Sequence, residues 1–274
     1  MTTKIKGIDI STWQGTPDFS KVKAAGVQFV IARAGYGQNN IDKQFRRNAS
    51  ECNHLGIPFG VYWFSYALNA EMARQEARYC LEAVKGYRLE YPIFFDLEYD
   101  TVRYAKQNGV TITKALATQM VKAFCSEIEA AGYYAANYMN NDYAKNMFDM
   151  AALKQFDVWY AWYNATINRS DAGLWQYSSS GKVNGISGNV DLDYALKDYL
   201  TIIKNAGLNG FEKPSTSKPE EADPDAGVPE WQRAAFDKLV EQGVITTPEH
   251  WKGRLAQQIT VGEVMAIVAN TIKD

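Results

Sequence analysis

Asp96 and Glu98 close the run Tyr91-Pro-Ile-Phe-Phe-Asp-Leu-Glu98, whose central residues are hydrophobic enough to read as a strand buried on both faces. Residues i and i+2 of a strand point the same way, about 6.6 Å apart along it, so the two carboxyl groups would share one small space. Two acids held together cannot both ionise freely; one pKa rises, and that group can donate a proton near neutral pH. Cleavage of a glycosidic bond is one reaction that uses such a pair. An isolated Asp-x-Glu is also common at the solvated end of a strand, so the pair gains meaning only from what else the fold brings to it.

The elements that would position it recur along the first 200 or so residues. Apolar runs fall at Gly7–Ile10, Gln28–Ala34, Phe59–Phe64, Ile93–Leu97, Tyr133–Tyr138, Val158–Trp162, Leu174–Tyr177 and Val190–Leu192, and the first five alternate with helix-length segments. Gly26, Gly56 and Gly132 each stand where a helix ends and a strand is about to begin, the left-handed position that glycine fills most easily. Such alternation builds parallel β/α units. Between the last three runs the gaps, 164–173 and 178–189, are short and rich in Asn, Ser, Asp and Gly, which leaves little room for helices. The spacing therefore predicts an α/β fold: a modified TIM-like (β/α)5(β)3 barrel of five regular units and three loop-joined strands.

Residues 212–229 hold four prolines and five acids with no aromatic residue, a composition unable to bury a core, and read as a linker. It separates a barrel over 1–211 from a small helical module over 230–274. In the module, Trp231, Ala235, Leu239 and Val240 form a helical stripe ending near Gly243, and Thr260-Val-Gly-Glu263 is a capping-box pattern opening a second helix. A module this small has a marginal core by itself, so a surface for packing or dimerisation is expected.

Composition removes several classes. The net charge of −2 argues against nucleic acid as a partner. His54 and His250 are the sole imidazoles, and Cys52, Cys80 and Cys125 form no C-x-x-C pair, so neither a zinc site nor a serine or cysteine triad is readily assembled, and no cofactor or metal is expected. The three cysteines fall in predicted helices and read as buried reduced thiols. No stretch is long and apolar enough for membrane insertion, and the start, Met-Thr-Thr-Lys-Ile-Lys, has no apolar h-region, so synthesis in the cytoplasm without a signal peptide is expected.

In a parallel barrel the chemistry collects at the C-terminal strand ends. Acids stand at three of those ends: Asp9, the pair Asp96 and Glu98, and Asp191 with Asp193. Aromatic residues occupy others, among them Tyr36, Tyr62, Tyr138, Trp159, Tyr163 and Trp175. An acidic centre with an aromatic rim suits a polysaccharide.

Five segments, Gly7-Ile-Asp-Ile-Ser-Thr-Trp-Gln-Gly15, Phe94-Phe-Asp-Leu-Glu98, Trp159-Tyr-Ala-Trp-Tyr163, Leu174-Trp-Gln-Tyr177 and Gly188-Asn-Val-Asp-Leu-Asp193, stand in the order and approximate spacing of the Chalaropsis-type lysozymes, glycoside hydrolase family 25, which the chain resembles over about residues 4–200. The resemblance implies a (β/α)5(β)3 barrel and N-acetylmuramidase activity on bacterial peptidoglycan. It implies Glu98 as the general acid with Asp96 beside it, and Asp9 and Asp191 as further catalytic acids. Asp193 stands where Asn is common in the family; of the two strand-eight acids, Asp191 is preferred as the one facing the site. Tyr62, Tyr163 and Trp175 are implied in the substrate groove, with Tyr36, Tyr138 and Asp193 as further substrate-binding candidates. An enzyme nucleophile and the substrate's own acetamido group both remain compatible with the carboxyl spacing. The segments Trp231–Asp237 and Glu263–Val268 distantly resemble S-layer-homology-type wall-anchoring sequences.

A wall-cutting enzyme without an export signal fits a phage or prophage endolysin, released through a holin-type pore, with a bacterial autolysin as second choice. The alternatives from other classes are a non-catalytic wall-binding lectin on the same barrel and a chitinase-like enzyme.

Overall fold

The apolar runs become the strands of one closed sheet. In the computed structural model, which describes residues 4–213, 227–251, 253–255 and 257–272, the eight runs and one short added strand, β3 (Asn40–Ile41), give β1 (Ile5–Ile10), β2 (Phe29–Tyr36), β4 (Phe59–Phe64), β5 (Ile93–Asp96), β6 (Ala135–Asn140), β7 (Asp157–Ala161), β8 (Ala172–Gly181) and β9 (Val190–Ala195). The order β1-β9-β8-β7-β6-β5-β4-β2 closes on itself through the parallel β1–β2 pair, and β3 hangs antiparallel on β2 outside the ring. Seven of the eight barrel strands run parallel; β9 runs against both β8 and β1.

The helices α1 (Phe19–Ala24), α2 (Phe45–Leu55), α3 (Ala70–Val84), α4 (Tyr99–Gln107), α5 (Lys114–Ala130) and α6 (Tyr199–Ala206) accompany these strands. Local chemistry sets their ends. Asn69 and Thr113 accept the N–H of Met72 (2.9 Å) and Leu116 (3.2 Å) and so start α3 and α5, while Gly56 takes the left-handed conformation (φ 61°) that stops α2 before β4.

One unit departs from the regular pattern. After β6 the crossover is a π-helical turn, Tyr143–Met147, in place of a regular fifth helix. Asn140 accepts the N–H of Tyr143 at the start of the turn, and beyond its end Asp149 accepts those of Ala151 and Ala152.

Two apolar layers result. Between strands and helices lies a large core that includes Phe45, Trp63, Phe95, Phe124 and the buried thiols of Cys52, Cys80 and Cys125. Inside the ring, Phe29, Ile31, Phe94, Trp159, Leu174 and Tyr199 fill the barrel, and the Phe29 and Tyr91 rings stack at 4.4 Å. Gly7 makes room for that plug, because a Cβ there would lie 2.2 Å from the Phe29 ring. Asp157 anchors Lys197 (2.9 Å) and the hydroxyls of Tyr199 (2.9 Å) and Tyr134 (3.3 Å) at the N-terminal end of β7. A barrel packed this way is no pore; polar space remains at the opposite mouth.

The chain divides into two compact units, meeting between residues 214 and 215. Most of the segment expected as a linker, 214–226, lies outside the described residues. The second unit contains α7 (Glu230–Glu241), α8 (Pro248–Trp251) and α9 (Val261–Ala269); the short α8 is absent from the sequence-based reading. Thr260 and Glu263 cap α9 reciprocally, the Thr260 side chain accepting the Glu263 N–H (3.2 Å) and the Glu263 carboxylate accepting the Thr260 N–H (2.8 Å). Among the described residues no helix is long and apolar enough to cross a membrane.

Candidate active site

Register brings the strand-end acids to one place. Asp96 ends β5 between Phe64 of β4 and Tyr138 of β6, and shares the inward face of its strand with Phe94, while Phe95 turns outward onto Phe124. On the other side of the ring Asp9 of β1 stands directly opposite Asp191 of β9. Because β9 is antiparallel, Asp191 reaches the mouth from the start of its strand, whereas the sequence-based reading placed the acids at C-terminal strand ends generally. Asp193, two residues on, points to the same side and lies deeper.

Glu98 is not on the strand. β5 stops at Asp96, and Glu98 is the N-cap of α4, with extended backbone and its N–H donating to Thr101 Oγ1 at 3.2 Å. The shared space expected from a two-residue strand repeat is therefore produced by a strand-to-helix turn. The pair still interacts: burial, then the Glu98 charge, raise the Asp96 pKa well above the carboxylate range, and the Arg33 guanidinium lowers it in part. Glu98 is raised as well, by burial first and then by the charge of Asp191 rather than that of Asp96. Burial lifts Asp191 to about 6. Five acids, Asp9, Asp96, Glu98, Asp191 and Asp193, all hold their protons more tightly than free carboxyls, and burial is the leading cause for each.

Asp96 is only 4% exposed and its Oδ1 has no hydrogen-bond partner, an open acceptor at the base of the mouth. Arg33 is fixed by Asp42, whose Oδ2 accepts from its Nε (2.9 Å) and Nη2 (2.8 Å) and from the N–H of Thr12 (3.0 Å), tying the turn after β1 to the cation. Gln176 of β8 is a second organiser. Its Nε2 donates to Asp9 Oδ2 at 2.8 Å, and its Oε1 accepts from the hydroxyls of Tyr138 (3.1 Å) and Tyr163 (3.0 Å).

The aromatic candidates divide. Tyr62 is half-buried against Trp159, Tyr138 is packed edge-on to the same ring, and Tyr163 is exposed at the rim. Tyr36 lies under the Arg33 guanidinium and lines a cleft of about 530 Å³ with Thr12, Trp13, Phe64 and Tyr66. Trp175 does not join them. β8 alternates, Leu174 and Gln176 take the inward positions, and Trp175 is buried on the other face, its Nε1 donating to the Trp162 carbonyl (2.7 Å) with the Lys4 ammonium 4.8 Å from its ring centroid. Its expected place in the substrate groove is therefore corrected.

Sequence reasoning missed Arg33, Gln176 and Trp13 as site residues. A charged residue inside Val-Ile-Ala-Arg-Ala was a visible signal for Arg33, since a basic side chain in a buried strand needs an acid. Trp13 is 81% exposed on the 3₁₀ turn Thr12–Gln14, which Ser11 and Gln14 cap. Among the described residues no cluster of His, Cys, Asp or Glu could hold a metal ion.

Comparison with known proteins bears on this geometry. The model for "Glycosyl hydrolases family 25" matches residues 8–186. The chain is similar to an autolytic lysozyme of Clostridium acetobutylicum, 28% identical over 213 residues that cover 75% of this chain and 61% of that protein. It is also similar to Lysozyme M1 of Streptomyces globisporus, 29% identical over 207 residues covering 69% of this chain and 67% of that one. Among solved structures it resembles the modular autolysin LytC of Streptococcus pneumoniae in complex with a synthetic peptidoglycan ligand, with a TM-score of 0.64, 29% identity, and coverage of 70% of this chain but 46% of LytC. The chain thus spans about half to two thirds of the length of these relatives.

Proposed function

The chain belongs to glycosyl hydrolases family 25, and on that premise we propose that it is a peptidoglycan muramidase, hydrolysing the β-1,4 bond between N-acetylmuramic acid and N-acetylglucosamine. The observation that carries the reading is the convergence of Glu98, Asp96, Asp9 and Asp191 on one mouth, all with raised pKa values.

Glu98 is the general acid. It sits at the rim, half-buried, where a leaving glycosidic oxygen can reach it, and burial together with Asp191 keeps it protonated at pH values where a free glutamate is ionised. As the bond breaks, positive charge develops on the sugar, and the carboxyls of Asp96, Asp9 and Asp191 surround the place where it would form. The open Oδ1 of Asp96 suits a group brought by the substrate, such as the acetamido N–H. Tyr36, Tyr62, Tyr138 and Tyr163, with exposed Trp13, supply rings and hydroxyls to the sugars on either side.

The C-terminal unit concentrates the enzyme on the wall. Trp231 (70% exposed) stands out in α7, and Val261, Met265 and Ile272 (67–72%) leave apolar surface on and beside α9. A tethered binding unit raises the local concentration of the catalytic one without altering its chemistry.

Glu98→Gln tests the assignment. It keeps the shape and removes the proton, so lysis of purified walls should fall by about 10²–10⁴-fold with folding and wall binding preserved. Near-normal turbidity clearing by that variant would refute the role of Glu98.

A further inference from the structure

Beneath the acids that meet the substrate lies a second carboxyl pair, Asp9 with Asp193. Asp193 is fully enclosed and Asp9 is 6% exposed. In the ladder Asp193 pairs with Gly7 and Asp191 with Asp9, so Asp193 and Asp9 are diagonal neighbours on one face, and burial and then the Asp193 charge raise the Asp9 pKa.

Each acid has one fixed side-chain donor. Trp159 Nε1 donates to Asp193 Oδ1 at 2.8 Å, and Gln176 Nε2 donates to Asp9 Oδ2 at 2.8 Å. The Gln176 amide cannot be turned over at no cost, because its oxygen already accepts from Tyr138 and Tyr163. With both acids ionised, Asp193 Oδ2 has no donor at all. A buried carboxylate oxygen without a donor, facing another carboxylate, is an arrangement that folding does not tolerate unless a proton lies between them.

The surroundings supply no alternative. Around the pair stand Asp191 on β9, Asp96 on β5, Glu98 at the start of α4, Tyr62 on β4, Tyr138 on β6 and Tyr163 after β7, all acidic or neutral. Among the described residues, Arg33 on β2 and Lys43 line the cleft beside this mouth; neither raises nor lowers Asp9 or Asp193, and the Arg33 guanidinium is held on Asp42.

Resting on the muramidase reading, we infer that Asp9 and Asp193 hold one proton between them, and that Asp193 is a positioning residue which, through this proton and the Trp159 indole, fixes Asp9 at the mouth. The pair then carries a single negative charge, shared across two strands that run in opposite directions. Losing the proton puts two negative charges in a closed space and drives the carboxyls apart, so Asp9 leaves its working position as the pH rises. Burial lifts both groups, Asp193 to about 7; the charges of Asp193 and Asp191 add to burial at Asp9, so Asp9 keeps the shared proton and its loss falls above neutrality.

The test uses the full-length protein and Asp193→Asn. An asparagine can keep its oxygen on the Trp159 N–H and give Asp9 a permanent N–H donor, so the contact no longer depends on a proton. The indole N–H resonance of Trp159, identified by its disappearance in Trp159→Phe, should show a titration step above neutral pH in the parent and in Glu98→Gln, and none in Asp193→Asn. This readout needs no catalysis, so it stands even if the reaction assigned above is wrong. In wall lysis, the alkaline fall should lose about two protons in the parent and about one in Asp193→Asn, and Asp193→Asn should exceed Asp193→Ala by about tenfold, the worth of one hydrogen bond. A Trp159 resonance that does not titrate in the parent, or that titrates unchanged in Asp193→Asn, would overturn the shared proton. Equal lysis by the Asn and Ala variants would overturn the positioning role.

Discussion

Arg33 shows how a single residue ties shape to charge at the mouth. Its guanidinium holds the fully buried Asp42, and its field lowers the proton affinity of Asp96 against the effects of burial and Glu98. Arg33→Met should cost about 3 kcal/mol in denaturant unfolding, because it strands a buried carboxylate; a loss below about 0.5 kcal/mol would mean that the N–H groups of Thr12 and Gln44 suffice for Asp42. The acids proposed as catalytic were singled out in the sequence as strand-end acids, and the structure brings them to one mouth beside Tyr62, Tyr138 and Tyr163. Their mutual arrangement was legible only in part. A strand repeat of two residues was the obvious way to bring Asp96 and Glu98 together, yet Glu98 caps a helix, and its charge partner is Asp191, about a hundred residues away. Trp175 was misplaced for a related reason: aromatic type suggested a sugar platform, whereas strand alternation, once Gln176 is known to face inward, sends its neighbour outward.

At the scale of elements, the strand runs, glycine joints and caps were readable because each rests on local chemistry. The π-helical turn after β6 was not. The antiparallel direction of β9 also escaped, because a short apolar run carries no sign of its direction. The loop from β4 to α3 has its own device. Glu76 of α3 is completely buried and accepts the Tyr66 N–H at 2.9 Å, holding the loop that also lies on β5 through the Ser65 N–H to the Asp96 carbonyl (2.7 Å). Burial raises Glu76 to about 7. The folded state thus binds a proton that the unfolded chain releases at its ordinary value near 4.5. The stabilisation is complete below that value, falls as pH rises toward 7, and is gone above it. Glu76→Gln should therefore flatten the stability profile between these limits, removing a decline of up to about 3 kcal/mol. Parallel pH profiles for variant and parent would show that Glu76 is not the group responsible.

For the whole molecule, the barrel supplies a reaction centre and the second unit is proposed to supply address. The composition of 212–229 led to the expectation of a linker there, and the chain divides into two compact units between residues 214 and 215. The ligand of the second unit was not readable, because exposed apolar surface on α7 and α9 names no partner by itself. Deleting 212–274 should leave turnover of soluble wall fragments within about twofold while slowing lysis of intact cells about tenfold or more, the usual order for loss of a tethered site. Unchanged lysis of intact cells would remove the targeting role. Equal slowing on both substrates would point to a contribution to barrel stability instead.

The bond that is cut decides the central claim. Purified peptidoglycan digested with the full-length protein, reduced with borohydride and analysed by mass spectrometry should yield muropeptides ending in reduced N-acetylmuramic acid, with none from Glu98→Gln. Fragments ending in reduced N-acetylglucosamine, or no new reducing ends at all from the parent, would contradict the assignment of Glu98 and its neighbouring acids to a muramidase.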